Sequence, residues 1–450
     1  MDRNSGIERV YLNKLTGYQE EILERHLPVQ LFDIIKPSDT VILKPNWVRE
    51  SHIHKPNDWE YLITHPALIT SVIRNLTERL GPGGRIIIAD GPQTDSSFEK
   101  ILGLNPVIRW HEMTSAKGIA LEIIDLRDDE WIIQDEVIVH RKKLPGDPRG
   151  STTVNLSGNT SEFHGQIKSK RGYYGADYNL NETNAAHNGT DNLYKVSKSV
   201  IEADIFINLP KLKTHKKAGI TCCLKNLVGI NTYKNYLPHY SEGVPDESGD
   251  QFPSVGFHSI VEGPLLALIK QHFLRSPALA QVLKSFGTIN RQVFGETAHT
   301  IRSGNWYGND TIWRTILDLN KILFFANPDG SMRKDNPVHA KKYIGIVDAI
   351  LVGEGNGPLA PDPVPLGYLI SGTSPVAVDL VAARLMGFDP MKIPAIRQAF
   401  QIISYPLCNI TPGDIMIHTE ENIFPYNRIP ESMIKRCKPH FGWAGHIEIL

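Results

Sequence analysis

Apolar residues fall into five short, unbroken runs, and polar residues or a turn follow each run. The runs are "VILKPN" (41–46), "RIIIADGP" (85–92), "DIFINLPK" (204–211), "YIGIVDAI" (343–350) and "GYLISGTSP" (367–375). Runs without polar alternation are typical of strands buried on both faces, and helix-like segments separate several of them. The pattern predicts an α/β fold with a largely parallel sheet that carries helices on both faces.

Polar side chains recur where the predicted strands end. Those that bear on ligand binding are Asn46, Asp90, Asn208, Lys211 and Asp348. In open α/β sheets, ligands bind outside the carboxyl ends of the strands, so these residues predict the rim of a binding site. Capping a helix or beginning a turn is the alternative role for each of them.

Two segments interrupt the predicted sheet. Residues 151–195 are rich in Asn, Gly, Ser and Thr and predict a long loop insertion, in which Arg171 and Tyr174 of "RGYYGADYN" are candidates to contact a polar ligand. Residues 258–330 have helical periodicity and predict a mainly helical insertion, either a lid or a homo-oligomer interface. The expected parts are an α/β N-terminal part (1–150), the loop insertion (151–195), a sheet strand with a Lys/His site loop (196–257), the helical insertion (258–330) and an α/β C-terminal part completing the sheet (331–450).

Positive charge is concentrated in "INLPKLKTHKKAGITCCLKNLVG" (207–229). Pro210 cannot continue a strand ladder, so "KLKTH" is expected to form a loop, and Gly219 permits a turn into a helix within "ITCCLKNLVG". A helix N-terminus and lysine side chains together make an anion site, whereas a solvated lysine cluster with a structural histidine is the alternative. The candidate ligand-binding residues are Lys211, Lys213, Thr214 and Asn226, and the candidate acid/base groups are His215 and Lys225.

Two further segments supply candidate chemistry. His239 in "LPHYSEG" is close enough in sequence to reach the same loops, where His215 and His239 could share a divalent metal or divide acid and base work. The glycine-rich segment "VDAILVGEGNGPLAP" offers Asp348 and Glu354 to orient the acid/base groups or bind a metal, and Asn356 as a ligand contact. No Gly-Lys-[ST] follows these glycines, so the segment is not a P-loop.

Composition limits the function classes. The 450 residues carry 48 Lys+Arg against 49 Asp+Glu, a formal net charge of −1, so no overall field attracts the chain to nucleic acid or to an anionic membrane. The four cysteines include no C-x-x-C pair, which argues against a disulfide scaffold and a ferredoxin-type [4Fe–4S] cluster. Cys222 and Cys223 are expected on a helix, where adjacent side chains point about 100° apart and rarely face one metal ion. Without an apolar signal region or a membrane-length apolar run, a cytoplasmic protein is expected.

These stretches resemble the large bacterial and archaeal domain-of-unknown-function family 362 (DUF362). The matching signatures, spread over residues 41–390, are "VILKPNWV", "IIIADGP", "ADIFINLPKLKTHKKAGITCCLKNLVGI", "VDAILVGEGNGP" and "SPVAVDLVAARLMG". Many members of that family carry an appended ferredoxin-like module with C-x-x-C-x-x-C clusters, and these 450 residues contain no such cluster. The segments "RGYYGADYN", "LPHYSEG" and "GNWYGNDTIWRTILDLN" look like a branch that accompanies surface-polysaccharide biosynthesis proteins.

A fainter similarity is to the nickel-pincer lactate racemase family. That family has a histidine, then Ala-Gly, then a cofactor-anchoring lysine ten residues after the histidine, and His215, Ala218, Gly219 and Lys225 have this spacing. "TCC" stands where that family is glycine-rich, and its other signatures are not matched. The similarity implies a shared fold ancestry.

Residues and resemblances together predict an enzyme that acts on an anionic, hydroxylated small molecule such as a sugar acid or an activated sugar. Proton abstraction beside a carbonyl, hence isomerase or epimerase chemistry in surface-polysaccharide biosynthesis, is the first expectation. The alternatives are a non-catalytic protein that binds an anionic glycan precursor, and a redox enzyme with a metal or iron–sulfur partner.

Overall fold

The computed structural model describes residues 6–134, 137–177, 179–256, 259, 300–333 and 341–449. Most of the predicted helical insertion at 258–330 lies outside the described residues. Its last part forms a helix, Ile312–Phe325, which is buried along nearly its whole length. This part of the predicted insertion therefore packs into the core instead of covering the surface.

The strands are β1 (Glu8–Lys14), β2 (Thr40–Pro45), β3 (Arg85–Asp90), β4 (Ala120–Asp125), β5 (Asp129–Gln134), β6 (Val137–Lys143), β7 (Ser151–Asn155), β8 (Tyr173–Tyr174), β9 (Leu193–Ser197), β10 (Ile205–Leu209), β11 (Lys211–His215), β12 (Gly219–Thr221), β13 (Tyr240–Ser241), β14 (Lys342–Asn356), β15 (Ala360–Gly372), β16 (Ile415–His418) and β17 (Ile423–Pro425). The α-helices are α1 (Glu20–His26), α2 (Val29–Phe32), α3 (Pro66–Thr77), α4 (Phe98–Gly103), α5 (Val107–Ser115), α6 (Leu180–Ala186), α7 (Lys198–Glu202), α8 (Cys223–Asn226), α9 (Ile312–Phe325), α10 (Pro375–Leu385) and α11 (Pro394–Ala399).

A mostly parallel sheet forms the centre of the molecule. Its strands run in the order β17-β16-β1-β15-β14-β10-β2-β3-β4, and β11 and β12 attach beside β14. The strands β14, β10, β2, β3 and β4 pair in parallel, each with its neighbour. The predicted α/β class with a largely parallel sheet is confirmed.

Successive side chains of a strand point to opposite sides of the sheet. In the central strands, the side chains on both sides are buried in hydrophobic cores. In β2, Val41 and Leu43 pack into one hydrophobic core, whereas Ile42 packs into the other. Helix α3 covers the first core, and α9 and α10 cover the second. The unbroken apolar runs in the sequence follow from this arrangement.

The predicted strands at 343–350 and 367–375 pair in a way that the sequence pattern did not indicate. They belong to β14 and β15, which form a long antiparallel hairpin. Only residues 357–359 connect the two strands, and a connection of three residues is too short for the crossover that parallel pairing requires. The sheet is therefore mixed at this side, where β1 pairs antiparallel with β15 and parallel with β16.

The helices of the described chain are short. None of them combines the length and the apolar character that crossing a bilayer requires.

Candidate functional site

A cavity of about 380 Å³ lies at the carboxyl ends of β2 and β3. Asn46 follows β2, Asp90 ends β3, and β11 and α8 close one side with residues of the cationic stretch. The cationic residues that line it are Lys213, Lys216, Lys217, Lys225, Lys234 and Arg302. Among the described lining residues, Asp90 is the sole carboxylate, so the lining carries a clear excess of positive charge.

The carboxylate of Asp90 is already bound by the protein. It accepts from Lys44 Nζ at 2.5 Å, from the Trp47 backbone N–H at 2.7 Å and from the Gly91 N–H at 2.8 Å. Gly229 makes room for this pair, because a Cβ there would lie 2.2 Å from Asp90 Oδ1 and 2.8 Å from Lys44 Nζ. Since the buried Lys44 balances Asp90, this acid does not offset the other cations of the cavity.

Lys225 reaches the cavity from α8 and is only partly buried. Its ammonium group has no hydrogen-bond or ion-pair partner among the described residues. Burial, followed by the positive charges of Lys234 and Lys44, lowers the pKa of Lys225 to about 8. A substantial fraction of this side chain is therefore neutral just above neutral pH.

The neighbouring lysines are held by oxygen atoms. Lys213 donates to the Asn46 side chain and to the Leu62 carbonyl, and burial lowers its pKa well below the ordinary value. Lys234 donates to the Gly91 carbonyl at 2.9 Å, and burial lowers its pKa to about 8. These hydrogen bonds fix the positions of the Lys213 and Lys234 side-chain nitrogens beside the cavity.

The two histidines of the cavity have opposite tautomers. Nδ1 of His215 accepts from the backbone N–H groups of Lys217 and Ala218, each at 3.1 Å, so the ring proton of the neutral side chain lies on Nε2. Nδ1 of His239 lies 2.8 Å from the Leu237 carbonyl and must donate to it, which leaves a lone pair on Nε2. Burial lowers the pKa of both rings, that of His239 to about 3. The cavity thus holds one imidazole donor and one imidazole acceptor.

Lys211 and Asp348 lie outside the cavity lining, bound to each other. Lys211 Nζ is 3.0 Å from Asp348, both side chains are fully buried, and the Tyr18 hydroxyl donates to Asp348 at 2.8 Å. The prediction that "KLKTH" forms a loop is wrong: it is the buried strand β11, parallel to β14. Pairing resumes directly after Pro210, whose carbonyl accepts from the Asp348 N–H at 2.9 Å.

Four other predicted site residues make structural contacts away from the cavity lining. Asn208 donates to the Cys223 carbonyl at 2.9 Å, and Thr214 donates to the Gly355 carbonyl at 2.9 Å. Glu354 accepts from the Lys438 N–H at 2.7 Å, and Asn356 pairs with Ala360 at the tip of the β14–β15 hairpin. Asn226 does line the cavity, where it accepts from Asn46 at 2.9 Å and donates to Asn208 at 2.8 Å.

The loop insertion approaches the cavity through small residues. Gly175 and Ala176 belong to the lining, whereas the neighbouring Tyr174 stacks on Tyr240 with ring centroids 4.8 Å apart. Arg171 forms an ion pair with Glu242 at 2.7 Å. Both predicted ligand contacts in this segment are thus engaged with the protein.

Several cavity residues escaped the sequence prediction. They are Lys216, Lys217, Lys234 and Arg302. The first two belong to the cationic stretch and carried the same charge signal as Lys213. Lys234 and Arg302 stand apart from that stretch, and only the tertiary structure brings them to it.

A second group of side chains, with metal-ligand spacing, lies at the start of α8. Donor atoms of Cys222, Cys223 and Asp379 all lie within 4.8 Å of one another, and all three residues are buried. The expectation that both cysteines lie on a helix is wrong, because Cys222 has extended backbone angles and only Cys223 begins α8. Asp379 also accepts from the N–H groups of Cys223 at 2.7 Å and Leu224 at 3.0 Å, and burial raises its pKa to about 7.

Among the described lining residues of the cavity, no three potential metal ligands lie together. In the described part of the chain, the Cys222, Cys223 and Asp379 group alone brings three such donors together. Nε2 of His239 carries a free lone pair, but the two N–H donors at Nδ1 of His215 place a proton on its Nε2. Because a metal needs a lone pair on each ligand, these hydrogen bonds favour His239 over His215 as a ligand.

Comparison with known proteins gives a family match for part of the chain. Residues 172–384 match the family model described as Domain of unknown function (DUF362), which confirms the resemblance over that part. The signatures "VILKPNWV" and "IIIADGP" lie before the matched residues. No curated protein matches the chain.

Two solved structures show a low likeness. A protein from Thermotoga maritima is 13% identical with a TM-score of 0.33, and the match covers 86% of this chain and 61% of that one. The lactate racemase apoprotein from Thermoanaerobacterium thermosaccharolyticum is 11% identical with a TM-score of 0.31, and the match covers 86% of this chain and 59% of that one. The chain therefore spans about three fifths of the length of these two proteins, and a likeness this low does not extend to substrate or reaction.

Proposed function

We propose that the cationic cavity binds an anionic, hydroxylated small molecule and that the protein is an enzyme that moves a proton beside a carbonyl group of this ligand. The observation that carries the proposal is the excess of lysine and arginine over carboxylate around one cavity. An excess of positive charge around a partly buried cavity is costly, and a bound anion lowers that cost. A cavity of about 380 Å³ has the size of small-molecule sites, and a sugar acid fits that size.

The two histidines supply a donor and an acceptor for proton transfer. The Nε2–H of His215 is suited to bind an oxygen atom on which negative charge develops. Nε2 of His239 is suited to accept a proton from carbon. Burial lowers the pKa of His239 to about 3, and the negative charge of a bound anion raises it towards the range of a general base. Lys225 adds a third group that can change its protonation state.

Binding and exchange measurements on the same ligands test the proposal. Gluconate, glucuronate and the nucleotide sugar UDP-glucuronate are titrated by calorimetry, with glucose as the neutral control. We expect at least one of the anions to bind and glucose not to bind. We expect Lys225→Met to weaken binding about tenfold or more, and Lys100→Met, at an exposed lysine of α4, to leave it unchanged.

Deuterium exchange then separates an enzyme from a binding protein. Solvent deuterium that enters the ligand beside its carbonyl group, and that no longer enters in His239→Gln, supports proton transfer. Binding without exchange leaves the non-catalytic alternative, and the absence of anion binding overturns the proposal. A role in surface-polysaccharide biosynthesis rests only on the segments "RGYYGADYN", "LPHYSEG" and "GNWYGNDTIWRTILDLN". Tighter binding of UDP-glucuronate than of gluconate would support that role.

A second candidate, a metal-dependent or redox function, is favoured by the Cys222, Cys223 and Asp379 group. Two thiolates and a carboxylate are ligands for a thiophilic divalent metal. Elemental analysis of protein purified without oxygen tests this candidate, with Cys222→Ser and Cys223→Ser as comparisons. One metal ion per chain that is lost in both variants supports it, and an equal metal content in all three proteins contradicts it.

A further inference from the structure

We propose that Lys225 is a covalent nucleophile whose Nζ forms an imine with the carbonyl carbon of an anionic aldehyde or ketone held in the cavity. This inference rests on the proposed function and names the substrate class more closely: an acid that carries a carbonyl group, such as a 2-oxo acid or a sugar acid in its open-chain form. The first observation is that Lys225, which is partly buried and faces the cavity, differs from the buried lysines of the described chain.

Those other lysines all donate to an oxygen atom. In the described part of the chain the pairs are Lys44 with Asp90, Lys211 with Asp348, Lys213 with the Leu62 carbonyl, Lys217 with the Ser303 carbonyl, Lys234 with the Gly91 carbonyl, Lys321 with the Thr160 carbonyl and Lys341 with the Ala203 carbonyl. Such acceptors stabilise an ammonium ion. Lys225 has no partner among the described residues, and it faces the cavity.

The surroundings of Lys225 disfavour its charged form. Lys234 and Lys44 are the positive groups that act on it, and the negative group that acts on it, Asp90, is already bound by Lys44. A lysine beside other cations is a recognised type of activated amine, because neutrality is needed for attack.

The reaction balances without a further reagent. The lone pair of Nζ attacks the carbonyl carbon and a C–N bond forms. The carbonyl oxygen takes both protons of the amine and leaves as water, which gives the imine. The Nε2–H of His215 is available to the carbonyl oxygen during attack. A protonated imine also acidifies the neighbouring C–H bond, which is the proton that the proposed function requires to move.

Reductive trapping tests the imine on the full chain. The protein is incubated with glyoxylate, an anionic aldehyde, and sodium cyanoborohydride, and the modified lysines are identified by peptide mass mapping. We expect one reduced adduct, at Lys225, that forms at least about ten times faster than at the exposed Lys100. Butyraldehyde, which is neutral, is expected to lose this preference. Lys225→Arg keeps a cation in place and is expected to lose the adduct.

Peptide mass mapping of the wild-type protein tests for the imine at Lys225 even if Lys225→Arg does not fold. Adducts spread over the exposed lysines, with Lys225 no faster than Lys100, overturn the imine. Calorimetry with gluconate, which is an anion without an aldehyde or ketone, reports the proposed function separately. Gluconate binding without an adduct at Lys225 refutes the imine alone, whereas the absence of both refutes the imine and the anion site.

Discussion

At Gly229 the backbone passes beside the buried ion pair of Lys44 and Asp90, so a side chain at this position has no room. A Cβ there would lie 2.2 Å from Asp90 Oδ1, so Gly229→Ala must displace the carboxylate or the backbone. We expect the free energy of unfolding to fall by about 2–4 kcal/mol, because overpacking and a disturbed buried ion pair act together. Urea denaturation measures the change. Gly103→Ala at the end of α4, where a Cβ meets no atom within 4 Å, is the control, and equal effects at both sites contradict the prediction.

Lys225 and Lys234 make anion binding dependent on pH. Both have a pKa of about 8, so their positive charge is present below pH 8 and is lost as the pH rises through that value. Gluconate remains a monoanion throughout, and its affinity is therefore expected to fall about tenfold between pH 7 and pH 9.5. Calorimetry across this range measures the affinity. In the double variant Lys225→Arg with Lys234→Arg the charge persists, and an unchanged slope there would show that other groups cause it.

The sequence predicted those cavity residues that stand at the ends of strands or within the cationic stretch. Asn46, Asp90, Lys213, His215 and Lys225 do line one cavity. The sequence could not show which groups the lysines of β11 meet, because the pairing of β11 with β14 shifts register between Lys211 and Lys213. Lys211 accordingly meets Asp348 instead of a ligand.

A buried ion pair joins β11 to β14: Lys211 of β11 provides the ammonium group, and Asp348 of β14 provides the carboxylate. Lys211 and Asp348 are 3.0 Å apart with both side chains fully buried. Lys211→Met leaves the Asp348 carboxylate without its cation, so we expect the free energy of unfolding to fall by about 3–5 kcal/mol. Chemical denaturation of purified protein measures the loss.

An exposed ion pair is the matched control for Lys211. Arg436 and Glu431 are 2.8 Å apart, but 66% and 65% of their side chains are exposed. We expect Arg436→Met to change the free energy of unfolding by less than about 1 kcal/mol, because water screens the pair. Asp348 also accepts from the Tyr18 hydroxyl at 2.8 Å and from the His65 backbone N–H at 2.9 Å. A loss in Lys211→Met no larger than that in Arg436→Met would show that these two hydrogen bonds alone hold Asp348.

The element predictions succeeded for the central strands and failed around Pro210. Strands β3 and β10 lie within the apolar runs that predicted them, and β2 begins one residue before its run. Proline lacks only its donor, and its carbonyl still accepts from the Asp348 N–H, so a new strand begins at once. The expected helix after Gly219 is β12 followed by the four residues of α8, because "GIT" pairs with β11 before the helix starts. Such pairing depends on a partner strand that local sequence does not show.

At the scale of the whole molecule, the sheet joins distant parts of the chain. Strand β1, close to the N-terminus, lies between β15 and β16, so the first strand completes the side of the sheet that the last part of the chain builds. The sequence predicted the α/β class from its apolar runs. It could not predict this strand order, because no local pattern in β1 indicates which strands it pairs with.

The cavity likewise exists only in the folded chain, since its lining runs from Asn46 to Leu359. A ligand that binds the folded state alone raises the free energy of unfolding by an amount set by its concentration and Kd. Gluconate at about one hundred times its Kd is therefore expected to add about 2.7 kcal/mol. Urea denaturation with and without gluconate measures this, and glucose is the control for the charge. If calorimetry shows saturation but gluconate adds no stability, gluconate binds the unfolded chain as well as the folded one. The cavity, which exists only in the folded chain, would then not be the binding site.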